Sequence, residues 1–286
     1  MDKQIETRDG LMLRGREWPH EPARGTIVLV HGLGEHVGRY GHVAEFLNGR
    51  GWRVVGYDHR GHGRSDGARG RLAHVDDLLV DLARAIDAVR ADHPTGPLLL
   101  LGHSLGGLVA ARFVAGALAP AAAWSRPVDA LVLSSPVLDT GMGVWQKAML
   151  AVLGPLTPNL AVANGLKPEW ISRDPAVVAA YKADPRVHDR IAPRLVRFIV
   201  DGGEFVRRVA SRWTIPTLLL YAGADRCVLP SGSAAFAEAA PKQVVTARVF
   251  PTLFHEILNE PEQAAVLSTI GDWLDTLFVS PTRSPR

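Results

Sequence analysis

The chain has 286 residues, 47% of them hydrophobic, and 32 lysines and arginines against 29 acids leave a net charge of +3. That composition suits one large core carrying an inserted subdomain rather than two independent domains. The arginines are scattered, without the basic block or interleaved aromatics of a nucleic-acid binder, and the single cysteine, Cys227, rules out an intrachain disulfide and suits a reducing, cytoplasmic setting.

In chain order, residues 3–8 and 11–18, joined at Asp9-Gly10, read as a β-hairpin. The apolar run 25–30 is a buried strand followed by His31-Gly32-Leu33-Gly34, a helix covers about 40–50, and 52–57 is the next strand. Residues 75–90 have helical spacing, with Leu78, Leu82, Ile86 and Val89 on one face. The strand Pro97-Leu98-Leu99-Leu100-Leu101 leads into Gly102-His103-Ser104-Leu105-Gly106 and an apolar helix over 107–115, and 129–134 is a further strand. From 138 to 213 the alternation stops, and the pattern is helical, proline-punctuated and without a strand. It resumes with a strand at 217–221, a helix at 231–240, a strand at 243–250 and a helix at 261–278. The expected organisation is a core of 1–137 and 214–279, an inserted helical cap at 138–213, and a disordered tail at 280–286. The longest uncharged run, 148–166, is broken by Gly154-Pro155 and Pro158 and makes a poor transmembrane helix. The first six residues lack the apolar core of a signal peptide.

Strand, G-x-S-x-G, helix is the nucleophile elbow of an α/β-hydrolase. The expected fold is therefore a mostly parallel eight-stranded sheet with helices on both faces. A second G-x-S-x-G, Gly63-Arg64-Ser65-Asp66-Gly67, has no apolar strand before Ser65 and polar loop after it, so Ser104 is the candidate nucleophile. A serine hydroxyl needs a base, itself oriented by a carboxylate. In this fold the partners follow in the order Ser, Asp, His. Asp225 is the acid immediately beyond the strand at 217–221, and His255 follows the strand at 243–250. The loop at 31–34 lies where an oxyanion donor belongs, so the amides of Leu33 and Leu105 are the candidate pair.

Gly32-Leu33-Gly34-Glu35-His36-Val37-Gly38 nearly matches G-x-G-x-x-G, but its third glycine is one residue late, and a dinucleotide site leaves Ser104, Asp225 and His255 without a role. The spacing of His31 and His36 matches no zinc motif, and neither metal nor cofactor is implied. His59 and His62 belong to a glycine-rich turn and read as structural. Cys227 reads either as a thiol activated by Arg226 or as a small inert side chain of its turn.

Three further runs carry a resemblance: Gly34-Glu35-His36-x-Gly38-Arg39-Tyr40, Asp58-x-Arg60-Gly61-His62-Gly63-x-Ser65, and His255-Glu256-x-Leu258-Asn259-Glu260. With the elbow, and with 171–175 and 181–185 in the cap, they resemble the monoacylglycerol lipase/lysophospholipase family over nearly the whole chain. The resemblance implies Ser104, Asp225 and His255 as the triad, Leu33 and Leu105 as oxyanion donors, and a helical cap over an acyl tunnel. It also implies Glu35 and Arg39 near the alcohol pocket, although the pair alone reads equally as an i,i+4 surface ion pair. Leu105 departs from the methionine of many relatives without affecting a backbone donor. Trp145 and Met149, in a cap stretch whose only charge is Lys147, are candidates to line the lipid tunnel or touch a bilayer surface. The expected substrate is a single-chain lipid ester, most simply a monoacylglycerol. A lysophospholipid, a general short-chain ester, or a binding protein with a retired site are the alternatives.

Overall fold

The computed structural model describes residues 1–118 and 121–278, and the tail expected at 280–286 lies outside them. The hairpin of β1 (Asp2–Glu6) and β2 (Met12–Trp18) precedes β3 (Thr26–Val30), α1 (Gly41–Gly49), β4 (Arg53–Tyr57), α2 (Asp77–Asp92), β5 (Leu98–His103), α3 (Leu105–Ala115) and β6 (Ala130–Ser134). Next come α4 (Val144–Leu153), β7 (Val162–Ala163), α5 (Pro175–Ala183), β8 (Arg190–Ile191) and α6 (Pro193–Val209). The chain then continues through β9 (Thr217–Ala222), α7 (Pro230–Ala239), β10 (Val245–Phe250) and α8 (Gln263–Leu277).

Eight strands form one sheet in the order β1-β2-β4-β3-β5-β6-β9-β10, antiparallel across β1, β2 and β4 and parallel from β4 to β10. This is the α/β-hydrolase arrangement expected from the sequence. Strands β3, β4, β5 and β6 are buried at every residue, as strands covered on both faces must be, hence their unbroken apolar runs. On one face Leu78, Leu82 and Ile86 of α2 pack with Leu108 and Phe113 of α3 and Phe236 of α7. On the other, Val43 and Leu47 of α1 meet Val266, Ile270 and Leu274 of α8.

The segment 138–213 departs from the pattern reading in one detail. Val162–Ala163 and Arg190–Ile191 pair as an antiparallel ladder of two residues each, too short to leave any alternation in the sequence. Helix α6 buries Leu195, Phe198, Ile199, Gly202, Val206 and Val209 on one face and packs against α3 and α7. Its apolar stripe thus joins the helical layer on the sheet. Helix α4, by contrast, buries no residue at all. Among the described residues no helix is long and apolar enough to cross a membrane.

Candidate active site

Because the parallel strands run the same way, the loops that follow β3, β5, β9 and β10 gather at one edge of the sheet. In the register of that edge Val30 stands opposite Gly102, and His103 opposite Ser134. The chain reverses sharply between β5 and α3, and Ser104 takes φ 52° and ψ −116°. Such a conformation costs a side-chain-bearing residue about 1–3 kcal/mol and persists only where neighbours enforce it. Here Ser104 N donates to Ser134 O at 3.0 Å, and α3 lies so close that a Cβ on Gly106 would fall 2.0 Å from Val30 O. The G-x-S-x-G glycines are therefore a packing requirement.

Ser104 Oγ lies 2.8 Å from His255 Nε2, and His255 Nδ1 lies 2.7 Å from Asp225 Oδ2. The other oxygen of Asp225 accepts the amides of Cys227 at 2.8 Å and Val228 at 3.0 Å, which fixes the carboxylate in its turn. Burial pushes the Asp225 pKa up, but the His255 charge and hydrogen bond, with the two amides, more than offset this and hold it below the ordinary value. Burial likewise pulls His255 down, and Asp225, with Glu256 and Glu35, outweighs it, so the imidazole titrates above 6.5. With Asp225 ionised, Nδ1 donates to it and Nε2 is left to accept the Ser104 proton. The arrangement can do nucleophilic acyl-transfer chemistry.

The loop after β3 packs directly against Ser104: a Cβ on Gly32 would stand 3.3 Å from Ser104 Cβ. Gly34 adopts φ 77°, a left-handed conformation that glycine takes without strain. Neither Leu33 N nor Leu105 N donates to a protein acceptor among the described residues. Leu105 is also the first residue of α3, where backbone amides have no helical partner.

Glu35 and Arg39 are not the surface pair that i,i+4 spacing alone allows. The Glu35 side chain is buried. Its Oε1 accepts from Gly32 N at 2.6 Å and from the Tyr40 hydroxyl at 2.5 Å, and its Oε2 accepts from Arg39 at 2.6 Å. Arg39 also makes two bonds to Glu256, and its guanidinium stacks 4.9 Å from the Tyr181 ring of the cap. Tyr40, Glu256 and Tyr181 are site residues for which motif reading assigned no role. The signal available was acids and aromatics placed beside motif positions, at 40, 181 and 256. Glu260 was similarly silent. It is buried, accepts from Ser172 Oγ, Arg173 N and Phe254 N, and ties the His255 loop to the stretch that opens α5.

A cavity of about 390 Å³ opens over Ser104, lined by Leu33, Glu35, His255, Glu256 and Cys227 and, from the segment between β6 and β9, by Leu166, Ile171, Tyr181, Lys182 and His188. Trp145 and Met149 are not brought to it. They lie on α4, 76% and 45% exposed. Cys227 lines the cavity, but burial, then the Asp225 and Glu256 charges, push its thiol pKa well up. Arg226, the residue expected to favour a thiolate, instead stacks 5.0 Å from the Phe254 ring. Activation of the thiol by Arg226 is thereby corrected.

The remaining motif residues build the scaffold beneath the loop. Ser65 Oγ donates to Asp58 O and accepts from Arg14 N. Asp58 takes the amides of Val37 and Arg64, and Arg60 binds Asp81 and Asp9. His31 accepts from His59 N through Nε2, and the His31, His59 and His62 rings pack together. Burial holds His31 at about 3 and His103 and His188 at about 4, so all three are neutral at pH 7.

The family model described as "Serine aminopeptidase, S33" matches residues 21–262. The monoacylglycerol lipase of Mycolicibacterium smegmatis is 39% identical over 259 residues, covering 90% of each chain. A phospholipase of Bacillus subtilis is 28% identical over 261 residues, covering 90% of this chain and 98% of that one. The crystal structure of Paleococcus ferrophilus monoacylglycerol lipase superposes with a TM-score of 0.81 at 35% identity, covering 93% of this chain and 99% of the other. With the elbow, the Ser–His–Asp geometry and this extent of similarity together, the chain belongs to the monoacylglycerol lipase family of α/β-hydrolases and is a serine hydrolase of that type.

Proposed function

We propose that the enzyme hydrolyses single-chain carboxylic esters, first among them monoacylglycerols, to fatty acid and alcohol. The observation that carries this reading is the cavity over Ser104, whose lining combines the polar groups of Glu35, Glu256, Tyr181, Lys182 and His188 with the apolar side chains of Leu33, Leu166 and Ile171. A small polyol leaving group suits the polar walls, and a lone acyl chain suits the apolar surface.

In this mechanism His255 takes the Ser104 proton as Oγ attacks the ester carbonyl, and the Leu33 and Leu105 amides stabilise the oxyanion. The imidazolium, held by Asp225, gives its proton to the departing alcohol. Water, deprotonated by His255, then releases the fatty acid. Glu35 and Arg39 act by holding the oxyanion loop and the histidine loop in place. Glu35 does so through Gly32 N, the Tyr40 hydroxyl and Arg39.

We treat 138–213 as the cap, with α6 as its fixed base and α4 as the part free to meet a lipid surface transiently. The single cysteine supports residence in the reducing cytoplasm. A lysophospholipid is the second reading, favoured by Lys167 and Lys182 on the cavity wall, where a phosphate would find a cation. The test is kcat/KM on monoolein, lysophosphatidylcholine, triolein and p-nitrophenyl butyrate. Monoolein is expected to lead, with triolein far behind. Equal values for monoolein and triolein would overturn the reading, and a lead for lysophosphatidylcholine would establish the second.

A further inference from the structure

We propose that the base of the catalytic cleft doubles as an inhibitory site for a thiophilic divalent cation such as Zn²⁺, held by Cys227 Sγ, an Asp225 carboxylate oxygen and a ring nitrogen of His255. The three donor atoms lie within 4.8 Å of one another. Tetrahedral zinc, with bonds of about 2.0–2.3 Å, holds its ligands about 3–4 Å apart, so side-chain shifts of about 1 Å close the set.

The local fold explains why the three meet. The Asp225 carboxylate accepts the amides of Cys227 and Val228, which curls the turn after β9 so that the thiol returns beside its own neighbour's carboxylate. His255 arrives from the turn after β10 with Nδ1 already on Asp225, so Nδ1 is the nitrogen placed to share an ion with that carboxylate. Cys227 and His255 both line the cavity over Ser104, which gives the ion the substrate's own route and leaves room for a water as fourth ligand. Besides the Asp225 ligand itself, the carboxylates of Glu256 and Glu35 stand nearby, and the guanidinium that touches both, Arg39, neutralises one charge. The excess of negative charge favours a divalent ion. Sulfur and imidazole nitrogen select zinc or cadmium over magnesium or calcium.

The proton balance explains inhibition. The thiol proton leaves to solvent as the metal–sulfur bond forms. The metal displaces the proton on Nδ1, which is taken up at Nε2. Nε2 then carries a hydrogen and cannot accept the one on Ser104, so acylation stops until the metal is removed.

The test titrates ZnCl₂, with MgCl₂ as control, against p-nitrophenyl butyrate hydrolysis by the wild type, Cys227→Ala and Cys227→Ser in metal-free buffer. Each protein is normalised to its own metal-free turnover. The wild type is expected to lose activity with Zn²⁺ alone and to recover it with EDTA. The inhibitory concentration should rise at least ~10-fold in both variants, since even an outer-shell partner is worth that much in metal affinity. Cd²⁺ added to the wild type is expected to give a thiolate-to-metal charge-transfer band, a readout that needs neither activity nor a folded variant. No inhibition by Zn²⁺, equal inhibition of wild type and variants, or no cadmium–thiolate band would each overturn the site.

Discussion

Arg39 holds Glu256 by two parallel bonds, 2.6 Å from Nη1 and 2.7 Å from Nη2, and with the same Nη1 reaches Glu35 at 2.6 Å. The two carboxylates belong to different loops, one after β3 and one after β10. Glu35 accepts from Gly32 N in the loop beside Ser104, and Glu256 follows His255 in sequence. One guanidinium therefore bridges the loop that carries Leu33 and the loop that carries His255. Burial would lower the guanidinium pKa, but the two carboxylates raise it far above its ordinary value, so the charge is permanent.

Removing that guanidinium leaves two buried carboxylates without their cation. An exposed i,i+4 pair is worth ~0–1 kcal/mol, whereas breaking a buried pair from one side costs ~3–5 kcal/mol. Arg39→Gln is expected to show the larger loss in urea unfolding. Arg39→Lys, which restores charge but not the paired bonds, should fall between. A loss below ~1 kcal/mol in Arg39→Gln would mean that the network does not hold the loops.

The two G-x-S-x-G serines should separate cleanly. Ser104→Ala is expected to lower ester turnover by about 10⁶-fold with the fold intact, the scale found for other serine-hydrolase nucleophiles. Ser65→Ala removes a bond to Asp58 O and one from Arg14 N, and should cost ~1–3 kcal/mol of stability while sparing turnover per folded molecule. Activity assays paired with thermal melts check both. Substantial turnover in Ser104→Ala would dismantle the assignment.

The eight-stranded, mostly parallel sheet was legible, and residues 104, 225 and 255 could be brought forward as candidates, because each is written locally: apolar runs for buried strands, a strained elbow needing glycine, and an acid or histidine just past a strand. Glu35 and Arg39 were legible as a motif but not in their role, because i,i+4 spacing is the same for a solvated pair and a buried one. Burial here comes from Tyr40, Tyr181 and Glu256, contributed by three separate stretches of chain. Trp145 and Met149 read as lining residues because apolar helix faces usually turn inward. Nothing in α4 itself records that none of its residues is buried. The β7–β8 ladder escaped for the opposite reason, since two residues carry no period.

The pH dependence follows from His255. Acylation needs Nε2 unprotonated, so kcat/KM should fall as the pH drops through the imidazole's pKa, which lies above the ordinary 6.5. Asp225→Asn removes the charge that raises it. The acid limb should then move to lower pH, while the plateau drops about 10⁴-fold because the amide no longer holds the Nδ1–H tautomer. Rate profiles from pH 5 to 9 on p-nitrophenyl butyrate check this. An unshifted limb in Asp225→Asn would show that another carboxylate sets the histidine.

Helix α4 and the turn after it present Trp145, Met149, Val152, Leu153 and Leu156 at helical spacing, and this stripe faces outward, with Trp145 76%, Val152 67% and Leu156 75% exposed. An apolar stripe on that scale is what an interfacial helix buries among lipid head groups and upper acyl chains. Burying one such side chain fully is worth ~1.5–3 kcal/mol. Replacing Trp145 and Leu156 together by serine should therefore remove ~3–6 kcal/mol and weaken binding to phosphatidylcholine vesicles by roughly 10²–10⁴-fold, since each 1.4 kcal/mol is tenfold. The chemistry sits elsewhere, as neither residue lines the cavity over Ser104, so turnover of a water-soluble p-nitrophenyl ester should be unchanged while turnover of vesicle-bound monoolein falls. Vesicle sedimentation and the two assays together decide the matter. Equal sedimentation of wild type and double variant would sink the lipid-contact role of α4, and equal loss on both substrates would place Trp145 and Leu156 in the catalytic cleft instead.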